Sequence, residues 1–181
     1  MNLETLLAGL PDYAKDLRLN LSNVLRQPEL TEQQAWGTAV AAAAASRNAE
    51  LSAAILEEAA AHLSPEALRA AKAAAAIMGM NNVYYRFLHL VNNEKYSTIP
   101  ARLRMQVIRS HGGDPVDFEL WCLAVSAINN CQACVGSHER VLREKGVSEE
   151  TILASVRIAA VIHALAATLE LERIPSPTFA A

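Results

Sequence analysis

Phe118-Glu-Leu-Trp-Cys-Leu-Ala-Val-Ser-Ala-Ile128, followed by Asn129-Asn130 and Cys131-Gln-Ala-Cys-Val-Gly-Ser-His138, is the stretch on which the fold turns. Its first part carries Phe118, Trp121, Cys122, Val125 and Ile128 at helical spacing, so one apolar stripe runs down a helix. The asparagine pair breaks that helix and is expected to cap a second one, from about Cys131 to Lys145, which Gly146 closes. Two helices joined by so short a break pack antiparallel.

Outward from this hairpin the same period continues. Leu3–Leu10 reads as a short helix stopped by Pro11, and Asp12–Leu25 follows with Tyr13, Leu17, Leu21 and Val24 on one face. Thr31 and Gln34 stand in capping-box positions for a helix through Trp36 to about Ala45. Ser64-Pro65-Glu66 starts a helix expected to reach Met80, and Ser148-Glu-Glu starts the last, to about Glu172. Tyr84–Tyr96 has no clean period, and Ser110–Pro115 reads as a loop. The expected class is all-α, a single helical domain over 1–181, with 176–181 a loose tail after Pro175.

Composition agrees. Apolar residues make up 52% but aromatics only 5%, and alanine, the strongest helix former, supplies much of the difference. A net charge of −3 with mixed signs gives no basic face for nucleic acid or an anionic membrane. The apolar stretches Ala39–Ala45, Ala73–Met80 and Ile158–Leu169 are each shorter than the ~20 residues a membrane span needs. Met1-Asn-Leu-Glu lacks a basic secretory start, so the three cysteines are expected in a reducing, cytoplasmic compartment.

A weak repeat is visible. Trp36, Ala39, Val40 and Ala42 recur as Trp121, Ala124, Val125 and Ala127, and Ser64 and Glu66 recur as Ser148 and Glu150. In this register the first half, 1–100, has Gln34, Ser46, Ala49 and Ala53 where the second, 101–175, has Glu119, Cys131, Cys134 and His138. The duplicated reading therefore assigns shape to the first half and chemistry to the second.

Cys131-x-x-Cys134 sits where two sulfurs can meet within one helical turn, and a helix N-terminus favours thiolate. His138 follows Cys134 by four residues, on the same face, where an imidazole can move protons. Across a hairpin reversing at Asn129–Asn130, Glu119 and His138 differ in height by only ~6 Å, within reach of a carboxylate directly or through one water. On residues alone three readings stay open. They are a redox dithiol with a proton relay, a zinc site of the same four side chains, and two buried free thiols. Cys122 falls on the apolar stripe and reads as core; His62, His89, His111 and His163 read as structural, and Met78 and Met80 as core or interface.

In combination these residues resemble the alkylhydroperoxidase D family of the carboxymuconolactone decarboxylase-like superfamily. The likeness rests on Glu119, eleven residues, Cys-x-x-Cys, three residues and His138, and extends to Leu10–Asp16 and Ala76–Val83. It implies an all-helical homotrimer that reduces alkyl hydroperoxides with electrons from dihydrolipoamide or a lipoylated protein, with no bound cofactor and no metal. It also implies a second role, re-reducing the peroxiredoxin alkyl hydroperoxide reductase C. Carried over, Cys134 is the peroxidatic sulfur, Cys131 the resolving thiol and proton donor that closes the Cys131–Cys134 disulfide, and His138 and Glu119 the proton relay. Helix-end electrostatics alone favour Cys131 as the more acidic thiol. Ala133 stands where some members carry a histidine, so one relay group is missing here. The alternative function is a protein disulfide reductase, an electron-transfer adaptor with little peroxide chemistry of its own.

Overall fold

Short polar side chains start most of the helices. In the computed structural model, which describes residues 2–175, Asn2 caps α1 (Leu3–Ala8), and a 3-10 turn at Asp12–Ala14 leads into α2 (Lys15–Val24). Thr31 and Gln34 form the reciprocal capping box of α3 (Glu32–Ser46). Asn48 caps α4 (Ala49–Ala59), and Ser64 with Pro65 begins α5 (Pro65–Leu90). Two single turns, α6 (Glu94–Ser97) and α7 (Val107–Ser110), precede α8 (Pro115–Ile128), whose cap is Asp114. The chain then forms α9 (Gln132–Glu144) and α10 (Glu149–Glu172), the latter capped by Ser148. There is no strand among the described residues, and the fold is all-α.

Helix α8 is the axis of the molecule, packed against α3, α5, α9 and α10. Phe118, Leu120, Trp121, Cys122, Leu123, Ala124 and Val125 are all buried, so α8 is enclosed nearly all round where a single apolar stripe was expected. Its closest neighbour is α3. A Cβ on Gly37 would lie 2.3 Å from the Trp121 ring, so only glycine lets the indole lie flat against α3. Trp121 Nε1 donates to the Gln34 carbonyl, and Gln33 and Gln34 side chains both donate to the buried Asp117 carboxylate. The order α3, α4, α5 recurs as α8, α9, α10, starting at Glu32, Ala49 and Pro65 in one set and Pro115, Gln132 and Glu149 in the other.

Three expectations need correction, and one helix had no reading. Helix α5 continues ten residues past Met80 to Leu90, because the asparagines at its middle are packed rather than turning the chain. Helix α4, unread in the sequence, forms on the Asn48 cap, whose Oδ1 accepts the Leu51 N–H at 2.7 Å. Tyr13 is not on the core face; it is 65% exposed, and its hydroxyl donates to Glu172. Neither Asn129 nor Asn130 caps α9: Cys131 itself takes that place, because Asn130 adopts a left-handed φ of 53° and the Asn129 side chain turns to α5.

Gly146 closes α9 with a φ of 81°, a conformation that favours glycine. Helix α10 is long and apolar enough to span a membrane by length and composition. Here its apolar length is used in the core, where Ile158, Ile162 and Leu165 are fully buried against the other helices. The tail at 176–181 lies outside the described residues.

Candidate active site

The two cysteines come together. Cys131 and Cys134 are joined by a disulfide at the start of α9, with their Cα atoms 5.3 Å apart. The sharp entry into α9 makes this possible. Asn130 in the left-handed region swings the chain round, and the Cys131 N–H donates back to the Ser126 carbonyl. Burial separates the pair: Cys131 is fully enclosed, whereas Cys134 is 6% exposed and opens on a pocket.

Helix α5 holds this turn from the side. Arg86 donates to the Asn129 carbonyl at 2.7 Å, Asn129 donates to Asn82 Oδ1, and Asn82 donates to the Ser126 hydroxyl, both at 2.9 Å. His89 Nε2 lies 3.1 Å from Gln132 Oε1, beside Cys131. A partly buried chain of this kind fixes backbone position because each member satisfies the next.

His138 and Glu119 meet directly. Nδ1 of His138 lies 2.7 Å from Glu119 Oε2, with both side chains largely enclosed. The hairpin estimate left a gap of one helical turn, and the carboxylate side chain closes it without a water. With Nδ1 engaged, Nε2 points the other way, 3.3 Å from Met78 Sδ, into the pocket that Cys134 lines. A carboxylate on Nδ1 fixes the tautomer and stabilises an imidazolium, leaving Nε2 to take or give the working proton.

The pocket has a volume of about 380 Å³, and Glu119, Cys134, Ser137 and His138 line it along with Asn81 and Met78 of α5. A larger groove of about 820 Å³, between α1, α2 and α3, includes none of the Cys, His138 or Glu119 side chains. Sequence reading missed Met78 and Asn81 as site residues, because helical spacing relates neighbours in the chain and these arrive from a helix about fifty residues earlier. The signal in the sequence was the stretch Ala76–Val83, which holds both residues and shares in the family likeness.

The remaining thiol and histidines do not line the pocket. Cys122 is core, and burial first, then the Glu119 charge, pushes its thiol well above the ordinary range. His111 stacks on Phe118 with ring centroids 4.0 Å apart, and burial lowers its pKa against the opposing pull of Glu119 and Asp114. His62, in the turn after α4, has Nδ1 2.6 Å from Glu32 Oε1 of α3 while its ring stacks on Trp36.

The profile of the carboxymuconolactone decarboxylase family matches residues 95–174, the half that carries all four site residues. A protein of Solibacter usitatus named alkyl hydroperoxide reductase AhpD is 66% identical over 175 residues, covering 97% of this chain and 99% of its own. The chain belongs to the AhpD family. Likeness to other AhpD proteins is equally end to end. The one from Acidobacterium capsulatum is 60% identical over 98% of this chain and 97% of its own, and that from Methylocella silvestris 54% identical over 97% and 99%. AhpD membership thus covers both helical sets, including the first, where Cys, His and Glu of the site are missing.

Proposed function

We propose that this protein is a thiol peroxidase that reduces alkyl hydroperoxides by cycling Cys131 and Cys134 between dithiol and disulfide. The observation that carries the reading is the bonded Cys pair at the start of α9, with Cys134 opening on a pocket that also receives His138 Nε2. The names of the relatives support the same substrate class.

In the reduced protein His138 Nε2 takes the Cys134 proton, and Glu119 on Nδ1 holds the resulting imidazolium. The Cys134 thiolate attacks the terminal peroxide oxygen. The S–O bond forms as the O–O bond breaks, the sulfur is oxidised to a sulfenic acid, and the departing alkoxide takes a proton from His138 and leaves as the alcohol. Cys131 then attacks the sulfenic sulfur, forming the disulfide and expelling hydroxide, which takes the Cys131 proton to leave as water. Exposure supports this division of labour over the helix-end argument, since only Cys134 lines the pocket. A dithiol of the lipoyl type returns two electrons by exchange and leaves as its own disulfide. The same dithiol chemistry extends to re-reducing the peroxiredoxin alkyl hydroperoxide reductase C. The working form in this reading is a cytoplasmic homotrimer.

A single-turnover experiment tests it. Fully reduced protein is mixed with cumene hydroperoxide, and thiols and alcohol are counted. One alcohol formed for every two thiols lost, with Cys122 still reduced, is expected. Disulfide exchange with dihydrolipoamide but no peroxide consumption would replace the peroxidase by the disulfide-reductase adaptor.

A further inference from the structure

Asn81 and Asn82 sit side by side on α5, yet their amides are used very differently. Asn82 is fully buried and spends its carboxamide within the protein, donating to Ser126 and accepting from Asn129. Asn81 is only 4% exposed, and its Oδ1 is buried with no hydrogen-bond partner among the described residues. Buried polar groups are nearly always paired, and asparagine is a poor choice for the interior of a helix. An unpartnered one invites the question of what completes it.

Its position gives the answer. Asn81 lines the same pocket as Cys134 and His138, and its backbone carbonyl lies 4.0 Å from Cys134 Sγ. Building on the peroxidase reading above, we infer that the Asn81 carboxamide binds the reacting end of the hydroperoxide, as a catalytic residue. The terminal O–H of the peroxide donates to Asn81 Oδ1. That bond holds the terminal oxygen against Cys134 and leaves the alkoxide oxygen toward His138 Nε2. The same proton and oxygen remain in the Cys134 sulfenic acid, so the acceptor serves substrate and intermediate alike. The alkyl group is left to Met78, Tyr85, Met105, Ile108 and Val141, an apolar wall contributed by three segments: α5, the stretch entering α7, and α9. A pocket of about 380 Å³ with this wall suits a compact alkyl or aralkyl hydroperoxide rather than a charged one.

The test compares two reactions at the same sulfur. In reduced Asn81→Ala protein, the second-order constant for cumene hydroperoxide is expected to fall about tenfold, the value of one lost hydrogen bond. Alkylation of the same dithiol by iodoacetamide, which brings no peroxide O–H, is expected to stay within about twofold. Asn81→Ser, which keeps a small polar group at the site, carries the same comparison if the alanine protein does not fold. Equal peroxide rates in variant and wild type, or peroxide and alkylation rates falling together, would overturn the role of Asn81 while leaving the peroxidase intact. A wild-type protein inert to peroxide would remove both.

Discussion

Glu119 and His138 stand nineteen residues apart and on different helices, yet they touch at 2.7 Å. Removing the charge while keeping the shape isolates what that contact does. In Glu119→Gln the amide still reaches Nδ1 but no longer stabilises an imidazolium, and it no longer dictates the tautomer. The rate of peroxide-dependent thiol loss, followed by stopped-flow tryptophan fluorescence, should fall on the order of a hundredfold, with an unchanged melting profile. A change of less than threefold would mean the pair is structural. Much of this constellation was legible in advance because helical spacing and one hairpin relate all four residues. Met78 and Asn81 were not, since nothing local connects α5 to the α8–α9 turn.

Elements were most legible where a cap announces them. Thr31 with Gln34, Ser64 with Pro65, and Ser148 each began a helix within one residue of its sequence reading. The failures share a cause in tertiary contact. Asn82 looks like a helix breaker alone, but it accepts from the Asn129 amide and α5 runs on; Asn129 does end α8, yet with its side chain so engaged it leaves the cap of α9 to Cys131. The closeness of α3 and α8 was likewise invisible, because a glycine in an alanine-rich helix gives no hint of the indole over it. That contact has a consequence for stability. Gly37→Ala puts a methyl where the Trp121 ring lies, and overpacking of this kind costs about 1–3 kcal/mol. Urea unfolding should show a lower midpoint with an unchanged slope; an unaltered midpoint would mean the two helices separate freely.

At the scale of the whole molecule, the buried Asp117 carboxylate ties the first helical set to the second through Gln33 and Gln34, and α8 is shared by both. Stability should depend on pH through His111, which packs against the start of α8. Burial lowers its pKa in the folded chain, so the unfolded chain binds a proton more readily. The stability it contributes is fully present above its unfolded value of about 6.5 and is lost as pH falls from there through the lowered folded value. Melting temperatures between pH 7.5 and 5 should therefore drop, and drop less in His111→Leu; identical slopes would assign the acid sensitivity elsewhere. The all-α class was legible from composition and period together, whereas the enclosure of α8 on every side needed the assembled bundle.

Which sulfur meets the peroxide decides the mechanism. Dimedone trapping with intact-mass detection, run on Cys131→Ser and Cys134→Ser proteins after one equivalent of alkyl hydroperoxide, reads this out. The prediction is a sulfenic adduct on Cys134 in the Cys131→Ser protein and none in the other. An adduct on Cys131 in the Cys134→Ser protein, with Cys134 unmodified in its counterpart, would contradict it.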